Sequence, residues 1–337
     1  MTNTIQIPRR LNASSAISFS RDLFLILDQD VVSLDFSSLK FALPSGVLFL
    51  ASVIRHFVRD RQGKKTKAIN VNASNNAHGY LLHIGFFRFI GLSRGNKLGD
   101  AKGSSTYIPI TKVDNTEIRK IARKQGISNL ESIIEKSDQL ASLLISDYTN
   151  HSAHRAISYS IREVIRNTFE HSNTEICYFC GQKYSNGAVE ISIFDEGRGI
   201  LESLKESYSF RNNSEAIDAV ILPGVSRMRK KDNRANIFDN SGFGLYVLSE
   251  LGRSFGNFCL ASGTSNIIIT NDNRIINIQP NLPGTYIGLR FENPPRSFSG
   301  TLSDIVSAGE DEALQYGEVV SASKLSRLTN DKISSKE

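Results

Sequence analysis

Glu163, Asn167 and His171 lie four residues apart in the stretch 160–171, SIREVIRNTFEH, and carry a carboxylate, a carboxamide and an imidazole. At helical spacing they form one polar ridge. Ala156, Ile157, Ile161, Val164, Ile165 and Thr168 recur on the adjoining face and predict a buried stripe. A ridge of that chemistry beside an apolar face needs something to hold. Residues 189–200, VEISIFDEGRGI, read as a strand that ends in Asp195, Glu196, Gly197, Arg198 and Gly199. Further on, Ser241, Gly242, Phe243 and Gly244 open another apolar helical run. Glycines where a strand ends and a helix begins let backbone N–H groups approach an anionic ligand.

The order is polar helix, strand to D-x-G-x-G, long polar insertion, then G-x-G opening a helix. It resembles the GHKL superfamily, the ATP-binding (Bergerat) fold of gyrases, heat-shock chaperone ATPases, mismatch-repair ATPases, histidine kinases and anti-sigma-factor serine kinases. Glu163-x-x-x-Asn167 resembles the first motif, DEGRG at 195–199 the second, SGFGL at 241–245 the third, and PGTYIGLRF at 283–291 the closing strand. The resemblance implies Mg²⁺ and ATP as cofactors. Asn167 matches the Mg²⁺-binding asparagine, and Glu163 the catalytic carboxylate that activates water or a substrate hydroxyl. Asp195 matches the acceptor for the adenine amino group, and Gly197 and Gly199 leave room for the base. Ser241, Gly242, Phe243 and Gly244 are implied to lie against the phosphates. Thr285 stands either for the threonine that supports the adenine site or for an ordinary strand threonine. His171 matches the kinases, or simply closes its helix; Glu170 departs from the basic residue of histidine kinases. Residues 200–241 correspond to the mobile lid, in which Arg227, Arg229, Lys230, Lys231 and Arg234 are candidates for phosphate contact.

The elements that must position these residues make an α/β protein. At 337 residues there is room for two domains. The expected divisions are an N-terminal domain over 1–110, a connector over 111–127, the ATP-binding α/β sandwich over 128–293 and a polar C-terminal extension over 294–337. In the first, strand candidates at 4–11, 31–36 and 67–73 alternate with helices at 20–27, 44–60 and 78–91. Leu34, Asp35 and Ser37, followed by Ser45 and Gly46, resemble the STAS fold of anti-sigma-factor antagonists. Leu43 and Pro44 replace the usual acidic residue and first serine there, and Ser45 reads as a helix cap. Asp114 with Glu117, and Ser128 with Glu131, have the spacing of capping boxes. The extension reads as a helix or two and a loose terminus.

Composition limits the function classes. No apolar run reaches the length of a membrane span, and the N-terminus lacks a secretion signal, so a cytoplasmic protein without a membrane partner is expected. Three cysteines argue against a disulfide scaffold, and Cys177-x-x-Cys180 reads as a half-buried strand rather than a zinc site. A net charge of +6 is met by phosphate-binding surfaces and a basic tail, so nucleic acid is not expected. The resulting expectation is ATP hydrolysis or serine-kinase-like phosphoryl transfer in cytoplasmic signalling, with a protein partner at the STAS-like domain. The rival is a non-catalytic ATP-dependent protein-binding switch. Homodimerisation is left open.

Overall fold

The computed structural model of the protein describes residues 2–145, 151–226, 241–315 and 320–330. Its N-terminal third runs β1 (Thr2–Gln6), β2 (Arg10–Leu11), α1 (Ala13–Phe24), β3 (Val31–Asp35), β4 (Phe41–Ala42), α2 (Pro44–Asp60), β5 (Lys65–Ile69), α3 (Asn76–His83) and α4 (Phe86–Phe89). The strands β1, β3 and β5 pair in parallel in that order, as strands joined through helices do, and β2 pairs with β4. Helix α1 starts earlier than its apolar run suggests. Asn12 Oδ1 accepts from the Ser15 N–H and Ser15 Oγ from the Asn12 N–H, a capping box that places the start at Ala13. The single helix expected over 78–91 is two. Gly85, at φ 87°, takes a left-handed conformation that ends one and begins the next.

The remainder runs β6 (Tyr107–Asp114), α5 (Asn115–Gln125), α6 (Asn129–Leu144), α7 (His151–His171), β7 (Ile176–Lys183), β8 (Val189–Asp195), α8 (Gly199–Leu204), α9 (Asn213–Val220), α10 (Gly244–Phe255), β9 (Gly256–Thr270), β10 (Arg274–Phe291), α11 (Phe298–Gln315) and α12 (Lys324–Arg327). Five strands form one antiparallel sheet in the order β6-β7-β8-β10-β9. The expected connector over 111–127 is thus the end of an edge strand followed by α5. Ser128 and Glu131 make the reciprocal capping box that starts α6.

Both faces of this sheet are buried over β7, β8 and the parts of β9 and β10 beside them. Cys177, Phe179, Ile191, Ile193, Leu260 and Ile287 pack under α6, α7 and α10. Their neighbours Tyr178, Cys180, Phe194, Cys259, Ala261 and Tyr286 join the core of the N-terminal region, against α1 and α2. The period of two in a strand sends alternate residues to opposite faces, so Cys177 and Cys180 enter different cores as free thiols. The half-buried strand expected there is buried on both sides.

Helix α2 is buried nearly all round between Gly46 and Ile54, where its side chains share one core with Val32 and Leu34 of β3 and with Phe194 and Tyr286 of the five-stranded sheet. Phe49 is fully buried edge-on to Tyr286, with ring centroids 5.1 Å apart, which stabilises by about 1.5–3 kcal/mol. The Tyr286 hydroxyl donates to the Ser45 carbonyl at 2.8 Å, and the Ser45 N–H donates to Glu190 Oε1 at 2.9 Å. Ser45 does not cap the helix: Leu43 occupies the cap, and Ser45 is held by its backbone against β8 and β10.

Candidate functional site

A cleft of about 730 Å³, measured to include its open mouth, lies between α7, the end of β8 with the part of β10 paired to it, the α8–α9 segment and the start of α10. Local sequence builds its inner end. Asp195 closes β8, and antiparallel register sets Thr285 directly opposite it. The following turn is tied to the end of α7: the Arg198 N–H donates to the Ser172 carbonyl at 2.8 Å and Arg198 Nε to the His171 carbonyl at 2.7 Å. Gly197 lies so close to Ser172 that a β-carbon would collide with it. The Asp195 carboxyl accepts from the Gly197 N–H at 2.8 Å. Burial nevertheless dominates and pushes its pKa up to about 7, against the lowering pull of Gly197, Ser172 and Thr285. A carboxylate this dry gains from any donor that a ligand brings.

Distant segments build the other end. Helix α10 begins after Phe243, and among the described residues no side chain caps its first turn. Gly244, its first residue, lines the cleft, and a β-carbon there would stand 2.6 Å from Glu163 Oε2 and 3.6 Å from Asn167 Nδ2. The first and third motifs therefore meet at a residue without a side chain. Glu163 is fully buried behind Gly244. Its Oε1 accepts from Arg162 Nε at 3.1 Å and Nη2 at 2.9 Å, with Arg166 Nη1 at 3.5 Å. Among the described residues its Oε2 has no hydrogen-bond partner. A buried carboxylate oxygen left unpaired is costly, which marks this atom as one that awaits a donor.

Asn167, Asp195, Gly199, Gly242, Gly244 and Thr285 line the cleft together. Four other expected residues do not. Glu163 stands behind Gly244, and Gly197 packs on Ser172. Ser241 turns its hydroxyl to Ser326 Oγ at 3.3 Å. Phe243 is a core residue against Tyr246 and Gly309. Arg227, Arg229, Lys230, Lys231 and Arg234 lie outside the described residues.

The wall also contains Thr168, Ser172, Ser203 and Ser226, and an apolar lining of Val164, Ile193, Ile200, Leu204, Val220, Leu245 and Ile287. Two of these were within reach of the pattern. Ile193 precedes Asp195 by two and Ile287 follows Thr285 by two, so each shares a strand face with a site residue. Val164 and Thr168 belong to the buried stripe of α7, and the cavity beside that stripe is a tertiary feature. Among the described residues no three His, Cys, Asp or Glu side chains cluster as metal ligands. Asn167, which lines the cleft, carries a side-chain amide oxygen, a ligand type that Mg²⁺ accepts beside phosphate and water oxygens.

Comparison with protein-family models, curated proteins and solved structures finds no match to the chain.

Proposed function

We propose that the chain binds Mg-ATP in this cleft and hydrolyses it or transfers its γ-phosphoryl group to a protein. The observation that carries the reading is the meeting of two chemistries in one cavity. A dry carboxylate opposite Thr285, walled by aliphatic side chains, suits the amino edge and faces of adenine. A helix N-terminus without a side-chain cap among the described residues, beside Gly244, Glu163 and Asn167, suits phosphate. The motif order that resembles the GHKL superfamily supports the same assignment.

In this reading Asp195 accepts from the adenine amino group, and Asn167 holds the metal that neutralises phosphate charge. Glu163 Oε2 takes the proton of the attacking hydroxyl while the oxygen bonds to the γ-phosphorus. The bond to the β,γ-bridging oxygen breaks, and ADP leaves with that electron pair.

A second reading, an ATP-dependent switch without turnover, is favoured by one observation: Glu163 is buried and held by Arg162, out of contact with the cleft. In either case the sheet-facing side of α2 is already occupied, so a protein partner of the STAS-like region would have to use its other surfaces. Calorimetry of Mg-ATP binding, followed by a single-turnover assay with γ-labelled ATP, separates the readings. Binding with release or transfer of label supports the enzyme, binding alone supports the switch, and no binding removes both.

A further inference from the structure

Arg162 is fully buried, and its guanidinium uses all five of its N–H groups. Two go to Glu163 Oε1. The other three go to one short stretch near the C-terminus: Nη1 donates to the Leu328 carbonyl at 3.0 Å and to Asn330 Oδ1 at 2.7 Å, and Nη2 to the Leu325 carbonyl at 2.9 Å. That stretch is firmly seated. Leu325, Ser326, Thr329 and Asn330 are buried, and the Tyr159 hydroxyl donates to the Ser326 carbonyl at 3.1 Å. Asn330 Nδ2 reaches Ser158 Oγ and, at 3.1 Å, Asp138 Oδ1. Ser326 meets Ser241, the first residue of the third motif.

We propose that the C-terminal segment 320–330 is part of the site and that Asn330 is a positioning residue for Glu163, acting through Arg162. The inference rests on the nucleotide reading above only for what Glu163 does. A buried guanidinium turns until every N–H finds an acceptor, because each one left over costs free energy. The three acceptors on the segment therefore fix its plane. That plane presents both remaining N–H groups to Oε1 of Glu163. With Oε1 held, the carboxylate has one orientation, and Oε2 is the oxygen left facing Gly244. The polar extension, expected to be a helix or two and a loose terminus, forms over these residues a strut between α7 and the third motif.

The test uses the full chain. In nucleotide-free protein, NMR of the arginine side chains should show slowly exchanging guanidinium protons that vanish in Arg162→Lys and are therefore its own. Asn330→Ala should speed their exchange with solvent at least tenfold. The pair Asn330→Asp with Asp138→Asn, which exchanges donor and acceptor and keeps an oxygen on Arg162, should restore slow exchange. With Mg-ATP, Asn330→Ala should lower kcat by about tenfold to a hundredfold, since a misplaced group costs that much, and leave KM and adenosine affinity within about twofold. The exchanged pair should recover the rate. Unchanged guanidinium exchange in Asn330→Ala overturns the proposal, and so does lost protection with an undiminished kcat. A wild type that binds no ATP removes the nucleotide reading alone, and the guanidinium signals still decide whether the segment holds Arg162.

Discussion

The two ends of the cleft are built on opposite principles. At the Asp195 end the parts are neighbours in the chain or in strand register: Asp195, the turn to Gly199, and Thr285 across one ladder step. At the Glu163 end, α7, α10 and the segment 320–330 converge from far apart, and their contacts run through side chains and caps. The geometry of the Asp195 end is therefore set by local hydrogen bonds and strand register, and its electrostatics by burial. The Glu163 end depends on three elements staying docked. The difference teaches that affinity and turnover should separate under mutation: changes at the first end should act on binding of the base, and changes at the second on chemistry.

The largest expected effect is at the second end. Glu163→Gln keeps an oxygen for Arg162 and removes the proton acceptor, so turnover should fall by about a hundredfold to ten-thousandfold with little change in ATP affinity. Equal, slow turnover of wild type and variant, with matched melting temperatures, would leave the switch as the better account. Next, Asp195→Asn should weaken ATP and adenosine alike by about 1.5–3 kcal/mol, roughly tenfold to a hundredfold. An unchanged affinity in calorimetry, with the fold intact by circular dichroism, would remove Asp195 from the adenine site. Asn167→Ala should weaken ATP by about tenfold with Mg²⁺ present and hardly at all with a chelator. Equal losses in both conditions would mean that Asn167 acts through packing against Gly244.

The smallest effect is a pH dependence, and it sharpens the comparison because only one end should show it. The Asp195 carboxyl titrates at about 7 in the folded protein, above the ordinary carboxylate range. Folding stability tied to this group is present at low pH and is lost as pH rises from about 4 through about 7, because the folded state holds the proton longer. Adenosine, which has no phosphate to titrate, should bind the ionised form better. Its affinity should drop several-fold from pH 8 to pH 6.5 in wild type and stay flat in Asp195→Asn. A flat wild-type profile would show that the adenosine ligand does not depend on this carboxylate.

Much of this molecule was legible in the sequence by periodicity alone. The apolar face of α7, the strand ending at Asp195, the bounds of α2 and the capping box at Ser128 are local patterns, set by side-chain spacing and by hydrogen bonds within a few residues. The order of the glycine motifs likewise identified which loops would face one another. Other features had no local signal. A two-faced sheet looks like any apolar strand until α2 covers its second side, and the break at Gly85 hides within a continuous apolar run. Nothing in the spacing around Arg162 marks it as buried, and 320–330 reads as part of a polar extension. Only the folded chain brings them together, because hydrogen bonds across 166 or 168 residues leave no periodicity to read. The residue types were determined locally. Which of them became buried, paired or exposed to the cleft was decided by packing, since burial and pairing depend on neighbours that the chain acquires only when it folds.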